Sequence, residues 1–150
     1  MKKYIIIIIV SFLAILSCEK DDICIDATTP SLIIRFYNND IQTDVKKVSE
    51  LTVWADGKDS IYVKQSLDSI IIPLDLNQNN TLYKFTSNSI EDEINFTYTR
   101  NDVFVSRSCG YKTIFENLQI DSNTTNWIKN ISINNTTIEN DTAAHITIFH

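Results

Sequence analysis

Two histidines, His145 and His150, are the side chains whose ordinary titration lies near neutral pH, so proton-transfer chemistry would look to them first. His150 ends the chain, where fraying is usual. His145 opens the apolar run Ile146-Thr147-Ile148-Phe149, and its expected role is structural, a ring bonded to a backbone carbonyl, with a general base as the alternative. Nucleophilic hydrolysis needs a nucleophile, a base within hydrogen-bond reach and a group to orient it. No Gly-x-Ser-x-Gly, P-loop or Rossmann glycine pattern is present, and with only Gly57 and Gly110 a phosphate-cradling loop is nearly excluded. Carboxylates gather at Glu91-Asp92-Glu93 and at Asp121, Glu139 and Asp141, where they could serve a glycosidase pair. Charge runs in turns are usually solvated, and that is the expectation for these. Asp56-Gly57-Lys58-Asp59 is too short for a calcium loop and carries a lysine. Trp54 and Trp127 could stack on sugars, but an aromatic on a strand is more often core. The expectation is therefore no catalytic residue, no metal site and no cofactor.

Cysteine chemistry is more informative. Lys2 and Lys3 precede an almost unbroken apolar run over residues 4–16, too short to cross a bilayer and of the length of a signal-peptide core. Ile15-Leu16-Ser17-Cys18 then looks like a lipobox, which implies cleavage after residue 17 and acylation of Cys18. The acyl chains would tether the protein to a membrane without spanning it. Removing Lys2 and Lys3 leaves 11 of the 13 basic residues against 19 acidic ones, and the net charge moves from −6 to −8. Such a surface argues against nucleic acid and against peripheral binding to anionic headgroups by charge. With Cys18 acylated, Cys24 and Cys109 remain as an even pair in an oxidising compartment, which reads as one disulfide; two free thiols or a metal pair are the alternatives.

The elements that must position these residues read as strands. Leu32-Ile33-Ile34-Arg35-Phe36-Tyr37 is β-branched and aromatic, with Arg35 on the face opposite Ile34 and Phe36, either outward or paired to a buried acid. Leu51-Thr52-Val53-Trp54-Ala55 runs into Asp56-Gly57, a hairpin signal, and residues 60–64 pair back. Ile70-Ile71-Ile72-Pro73-Leu74 carries a proline that places it at an edge or a bulge. Residues 81–86 follow, then Ile94-Asn95-Phe96-Thr97-Tyr98-Thr99, whose strict alternation demands one buried and one wet face. Val103-Phe104-Val105, residues 111–115, residues 127–133, Thr137-Ile138 and residues 144–149 complete about ten short strands. Asn and Asp must supply most turns. The spacing predicts an all-β fold, a single antiparallel β-sandwich domain with a β-barrel as the alternative. Its parts are the signal (1–17), the lipidated cysteine and tether (18–31) and the sandwich (32–150).

Asp21-Asp22-Ile23-Cys24, Thr29-Pro30, Leu32-Ile33 with Phe36-Tyr37, Pro73-Leu74, Ser106 with Cys109-Gly110-Tyr111, Trp127-Ile128-Lys129 and Ala144-His145-Ile146 together resemble a family of lipoproteins of unknown function from Bacteroidota, chiefly flavobacterial. The resemblance implies a compartment and a fold but no activity. Lys20-Asp21-Asp22, directly after the cysteine's neighbour, resembles the short signal that sends such lipoproteins to the cell surface. Asp59-Ser60-Ile61, Asp68-Ser69-Ile70 and Asp141-Thr142-Ala143 resemble that phylum's O-glycosylation pattern, which implies modification at Ser60, Ser69 and Thr142. The functional expectation is a lipid-anchored outer-membrane protein at the cell surface that binds a glycan or an envelope protein without catalysis. A periplasm-facing accessory subunit in envelope assembly is the alternative.

Overall fold

Leu32, Ile34 and Phe36 are buried while Arg35 between them is exposed, so the first strand has the one-wet-face character its sequence demands. A computed structural model describes residues 23–25 and 28–150. The described residues form nine strands: β1 (Leu32–Tyr37), β2 (Val48–Ala55), β3 (Ser60–Leu67), β4 (Ser69–Ile72), β5 (Asn80–Ser87), β6 (Ile90–Ser106), β7 (Gly110–Asn123), β8 (Asn130–Ile133) and β9 (Ile146–Phe149). One sheet has the order β4-β1-β9-β8 and the other β3-β2-β5-β6-β7. Neither closes on itself, so the architecture is a sandwich rather than a barrel. All pairings are antiparallel except β1 with β9, which run parallel.

Ile94, Phe96 and Tyr98 all face inward, as their alternation requires, and meet Ile34, Ile72 and Ile148 of the other sheet in one core. Arg35 takes the outward alternative, its guanidinium 5.8 Å from the Tyr37 ring centroid. Pro73 follows β4, which is indeed an edge strand. That edge is guarded: the Tyr62 hydroxyl donates to the Ile71 carbonyl and accepts from the Ile71 amide, both at 3.0 Å. A side chain thus occupies backbone groups that a foreign strand would otherwise pair with.

Several boundaries differ from the sequence expectation, each for a physical reason. Residues 91–93, which the sequence offers as a turn or a strand entry, are the entry of β6, and the turn before them is Asn88-Ser89, with φ of 48° and 68°. Two successive left-handed residues between Ser87 and Ile90 make the tight hairpin that matches strand twist. Residues 94–99 and 103–105 form one strand, β6, continuing through Arg100-Asn101-Asp102. From Thr99 onward β6 pairs only with β7, beyond the last β5 partner at Thr97, so this two-stranded arm has no need of an apolar face on each side. Residues 121–123 prolong β7 rather than forming a loop. Thr137-Ile138 contributes a single bridge, Ile138 to Phe115, and residues 127–133 shorten to β8. His150 is not frayed: its amide bonds Tyr37 O at 3.0 Å and its carbonyl accepts from the Lys46 ammonium at 2.8 Å.

Cys24 and Cys109 form a disulfide, so the residues before β1 are fastened to the turn at the end of the arm. Gly110 opens β7 at that turn with φ of +71°, a conformation a side chain would strain.

Candidate functional site

The carboxylates considered for chemistry are structural at Asp92 and outward-facing at Glu91 and Glu93. Asp92 is completely buried. It accepts four hydrogen bonds, from Thr124 Oγ1 and the Asn126 amide at 2.7 Å and from the Trp127 and Ile128 amides at 2.8 Å. Burial alone would raise its pKa, but the bonds from Ile128, Asn126, Thr124 and Trp127 outweigh it and hold the carboxyl below the ordinary value. Glu91 and Glu93 face outward and, with Asp56, surround the Lys84 ammonium at 3.1–3.9 Å. The solvated-turn expectation therefore fails for Asp92. Its place in the inward series 92, 94, 96, 98 was the available signal, since period-2 alternation extends two residues before Ile94.

His145 is also structural, its ring making the expected backbone bond, to Asn140, and a second that was not expected. Its Nδ1 accepts the Ile33 amide at 3.1 Å while its own amide donates to Ile33 O at 2.9 Å. The ring stands in for a carbonyl and extends the β1–β9 ladder by one step, which requires the neutral imidazole. Burial lowers its pKa, opposed by the charge of Asp141 and a backbone bond to Asn140. Because the folded value lies below 6.5, the unfolded chain binds the proton first. Stability should be intact above pH 6.5 and decline as pH falls from there toward the folded value. His145→Phe should cost about 1–3 kcal/mol by orphaning the Ile33 amide. It should also flatten the part of the loss between pH 7 and 5 that this imidazole causes. Urea unfolding at the two pH values checks both; an unchanged slope would remove His145 as its source.

Trp127 is core. Its Nε1 donates to Phe85 O at 3.1 Å, and its ring packs on Phe36 and His150. Trp54 is half-buried on the outer face, opposite Lys84.

An open cleft of about 570 Å³ lies at the end of the second sheet. One side is the β2–β3 turn with Asp56 and Lys58; the other is the β4–β5 connection with Asp75, Asn77 and Gln78. Ala55, Leu74 and Leu82 supply apolar surface, and Asn80 stands at the start of β5. The connecting loop is braced from behind. The Asp75 amide donates to Thr81 Oγ1 at 2.9 Å, Thr81 Oγ1 lies 2.6 Å from the Tyr98 hydroxyl, and that hydroxyl donates back to Asp75 O at 3.0 Å. A closed circuit of this kind leaves no buried polar atom unmatched and fixes the loop's course. The Tyr83 hydroxyl donates to Pro73 O, and Arg100 holds Leu76 O and, at 2.9 Å, Asn79 Oδ1. Burial, then Tyr98, raises the Tyr83 pKa far above its usual value, so this hydroxyl stays a donor. No local signal announces the cleft, because its walls, residues 55–58 and 73–83, meet only once β2 and β5 have paired.

The expected modification sites Ser60, Ser69 and Thr142 are all exposed. Ser60 begins β3 and Ser69 begins β4, on neighbouring edges of the two sheets, while Thr142 lies in the connection before β9. Cys18, Lys20, Asp21 and Asp22 lie outside the described residues.

Fold and site together define a class: a disulfide-stapled, two-sheet β-sandwich with a braced polar cleft and a projecting hairpin arm. Residues 50–150 match the model of a family of unknown function, DUF6452, and the chain belongs to that family. No curated protein and no solved structure matches it. The family match begins within β2, yet β1 lies in the middle of its sheet between β4 and β9, so the folding unit reaches back to Leu32.

Proposed function

We propose that the mature chain, anchored by acylated Cys18 and displayed at the cell surface, binds a carbohydrate through the braced cleft and performs no reaction there. The observation that carries this reading is the cleft itself, a rigid open trough rimmed by amides and carboxylates at Asp56, Asp75, Asn77, Gln78 and Asn80. Amides and carboxylates on short side chains suit vicinal hydroxyls, which donate and accept at once. Leu82 and Ala55 can meet the apolar face of a sugar ring. An open trough with a pre-set wall loses little entropy on binding. Neither tryptophan lines it, so hydrogen bonding rather than stacking would set specificity.

The test is binding of the lipidated protein, in detergent, to an array of bacterial and host glycans, repeated with Gln78→Ala combined with Asn80→Ala. Losing two hydrogen bonds worth about 0.5–1.5 kcal/mol each should weaken binding roughly 5- to 150-fold with the melting temperature unchanged. Binding that survives the double variant, or no binding to any glycan, would count against the cleft. Protease shaving of intact cells tests display. Digestion with a periplasmic control spared supports the sorting reading of Lys20-Asp21-Asp22; protection until the outer membrane is opened moves the protein to the periplasmic face. Glycopeptide mass shifts at Ser60, Ser69 and Thr142 report on modification.

A further inference from the structure

We propose that the tip of the β6–β7 arm is a second membrane contact, seating its aromatic pair in the headgroup region of the bilayer that holds the protein's own lipid. The inference rests on the lipid anchor at Cys18 and goes beyond it, because a tether alone leaves the orientation of the domain free. Phe104 and Tyr111 face each other across the arm in an edge-on pair with ring centroids 5.4 Å apart. They are 59% and 70% exposed, so the contact they make with each other leaves most of both rings in water. Ile23 and Ile25, on either side of the disulfide-bonded Cys24, are exposed too. Among the described residues, the largest aromatic exposure is thus beside the turn that the disulfide joins to the tether.

Geometry names the occupant. Cys24 is six residues beyond Cys18, and six extended residues reach at most about 20 Å. The disulfide therefore keeps Cys109 within reach of the surface into which the acyl chains insert, while the arm carries Phe104 and Tyr111 beside it. Charge agrees locally: residues 103–112 hold Arg107 and Lys112 and no acid, in a mature chain of net charge −8. Aromatic rings with a polar handle and flanking cations favour the membrane interface. Glu19, Asp21 and Asp22 in the tether oppose attraction to anionic lipid, so the apolar rings supply the contact. Two rings would not hold a free protein on a membrane, but a tether raises the local lipid surface to an effective concentration at which weak contacts form. The far end of the sandwich, with Asp92, Trp127 and His150, would then point away from the bilayer.

The test uses the full lipidated mature protein in phosphatidylcholine vesicles with or without bromine on the upper acyl carbons, and the variant Tyr111→Trp. The native indoles serve as an internal control. Trp54 lies opposite Lys84, which lies opposite Glu93, and Trp127 is bonded to Asp92; Phe104 is eleven residues further along β6 than Glu93, about 35 Å at strand rise. Bromine should leave wild-type emission unchanged and remove most of the emission added by the variant. Phe104→Trp repeats the measurement should Tyr111→Trp fail to fold. Added emission that brominated lipid leaves intact, in protein that floats with the vesicles, overturns the membrane contact while leaving the anchor in place. A blue shift without bromine quenching overturns it in favour of contact with a second copy of the chain. Protein that lacks acyl mass and fails to float overturns the anchor and, with it, this inference.

Discussion

Asp92→Ala is expected to leave the protein largely unfolded or barely stable at neutral pH. The carboxylate is the common acceptor for the Asn126, Trp127 and Ile128 amides and the Thr124 hydroxyl, and Asp92 is wholly buried. Each buried donor left without an acceptor costs about 1–3 kcal/mol, and loss of one side of a buried charged network costs about 3–5 kcal/mol in all. A domain of this size has only about 5–15 kcal/mol to lose. The damage would spread because these amides fix the approach to β8 and seat Trp127 and Ile128 in the core. Asp92→Asn should fall between, since one amide oxygen still accepts while the NH₂ group confronts the remaining donors. The wild-type pH dependence follows from the same bonds. The folded pKa lies below 3.8, so the unfolded chain takes the proton first, and the stabilisation is full above that value and lost as pH falls below it. Urea unfolding at pH 7, 4 and 3 should show a steep acid loss in wild type and a shallower one in Asp92→Asn. An alanine variant within about 1 kcal/mol of wild type would show that water replaces the carboxylate at little cost.

Local alternation made the sheet faces legible, and long-range pairing remained hidden. Leu32, Ile34 and Phe36, and again Ile94, Phe96 and Tyr98, point inward as their spacing alone requires. Asp56-Gly57 turns the chain where that dipeptide predicts, with Gly57 at φ of +70°. The cysteine pair was legible through parity, once the lipobox reading set Cys18 aside and left Cys24 and Cys109 as partners. Asp92 is hidden in the sequence because three consecutive acids have the composition of a solvated turn; only the face shared with Ile94 distinguishes the middle one from its neighbours. The parallel β1–β9 pair joins segments more than a hundred residues apart, and no local signal announces it. His145 follows from that pairing, since its ring accepts an amide only once Ile33 is beside it. The cleft was invisible for the same reason: Thr81, Tyr98 and Asp75 form their circuit only after β5 and β6 have paired.

Removing the disulfide, by Cys24→Ala with Cys109→Ala or by reduction, is expected to cost about 4–5 kcal/mol, because the bridge closes a loop spanning 85 positions and so restricts the unfolded chain. The folded structure supports that assignment of cause. Ile23 and Ile25 are 83% and 90% exposed, so the segment around Cys24 brings little packing of its own. What remains without the bridge includes the bond from the Thr113 amide to Thr29 Oγ1 at 3.1 Å, enough to guide the segment along the arm but not to hold its end. Two measurements separate a global effect from a local one. If the bridge acts on the unfolded state, the urea midpoint drops and the slope of the transition steepens, since the unlinked chain exposes more surface when it unfolds. If it acts only to pin the arm, the midpoint stays within a few tenths of a molar and faster amide exchange is confined to residues 103–113. The length of the closed loop favours the first outcome, with the second superimposed on it. A variant with neither change would mean that the sandwich holds both the chain and its arm without covalent help.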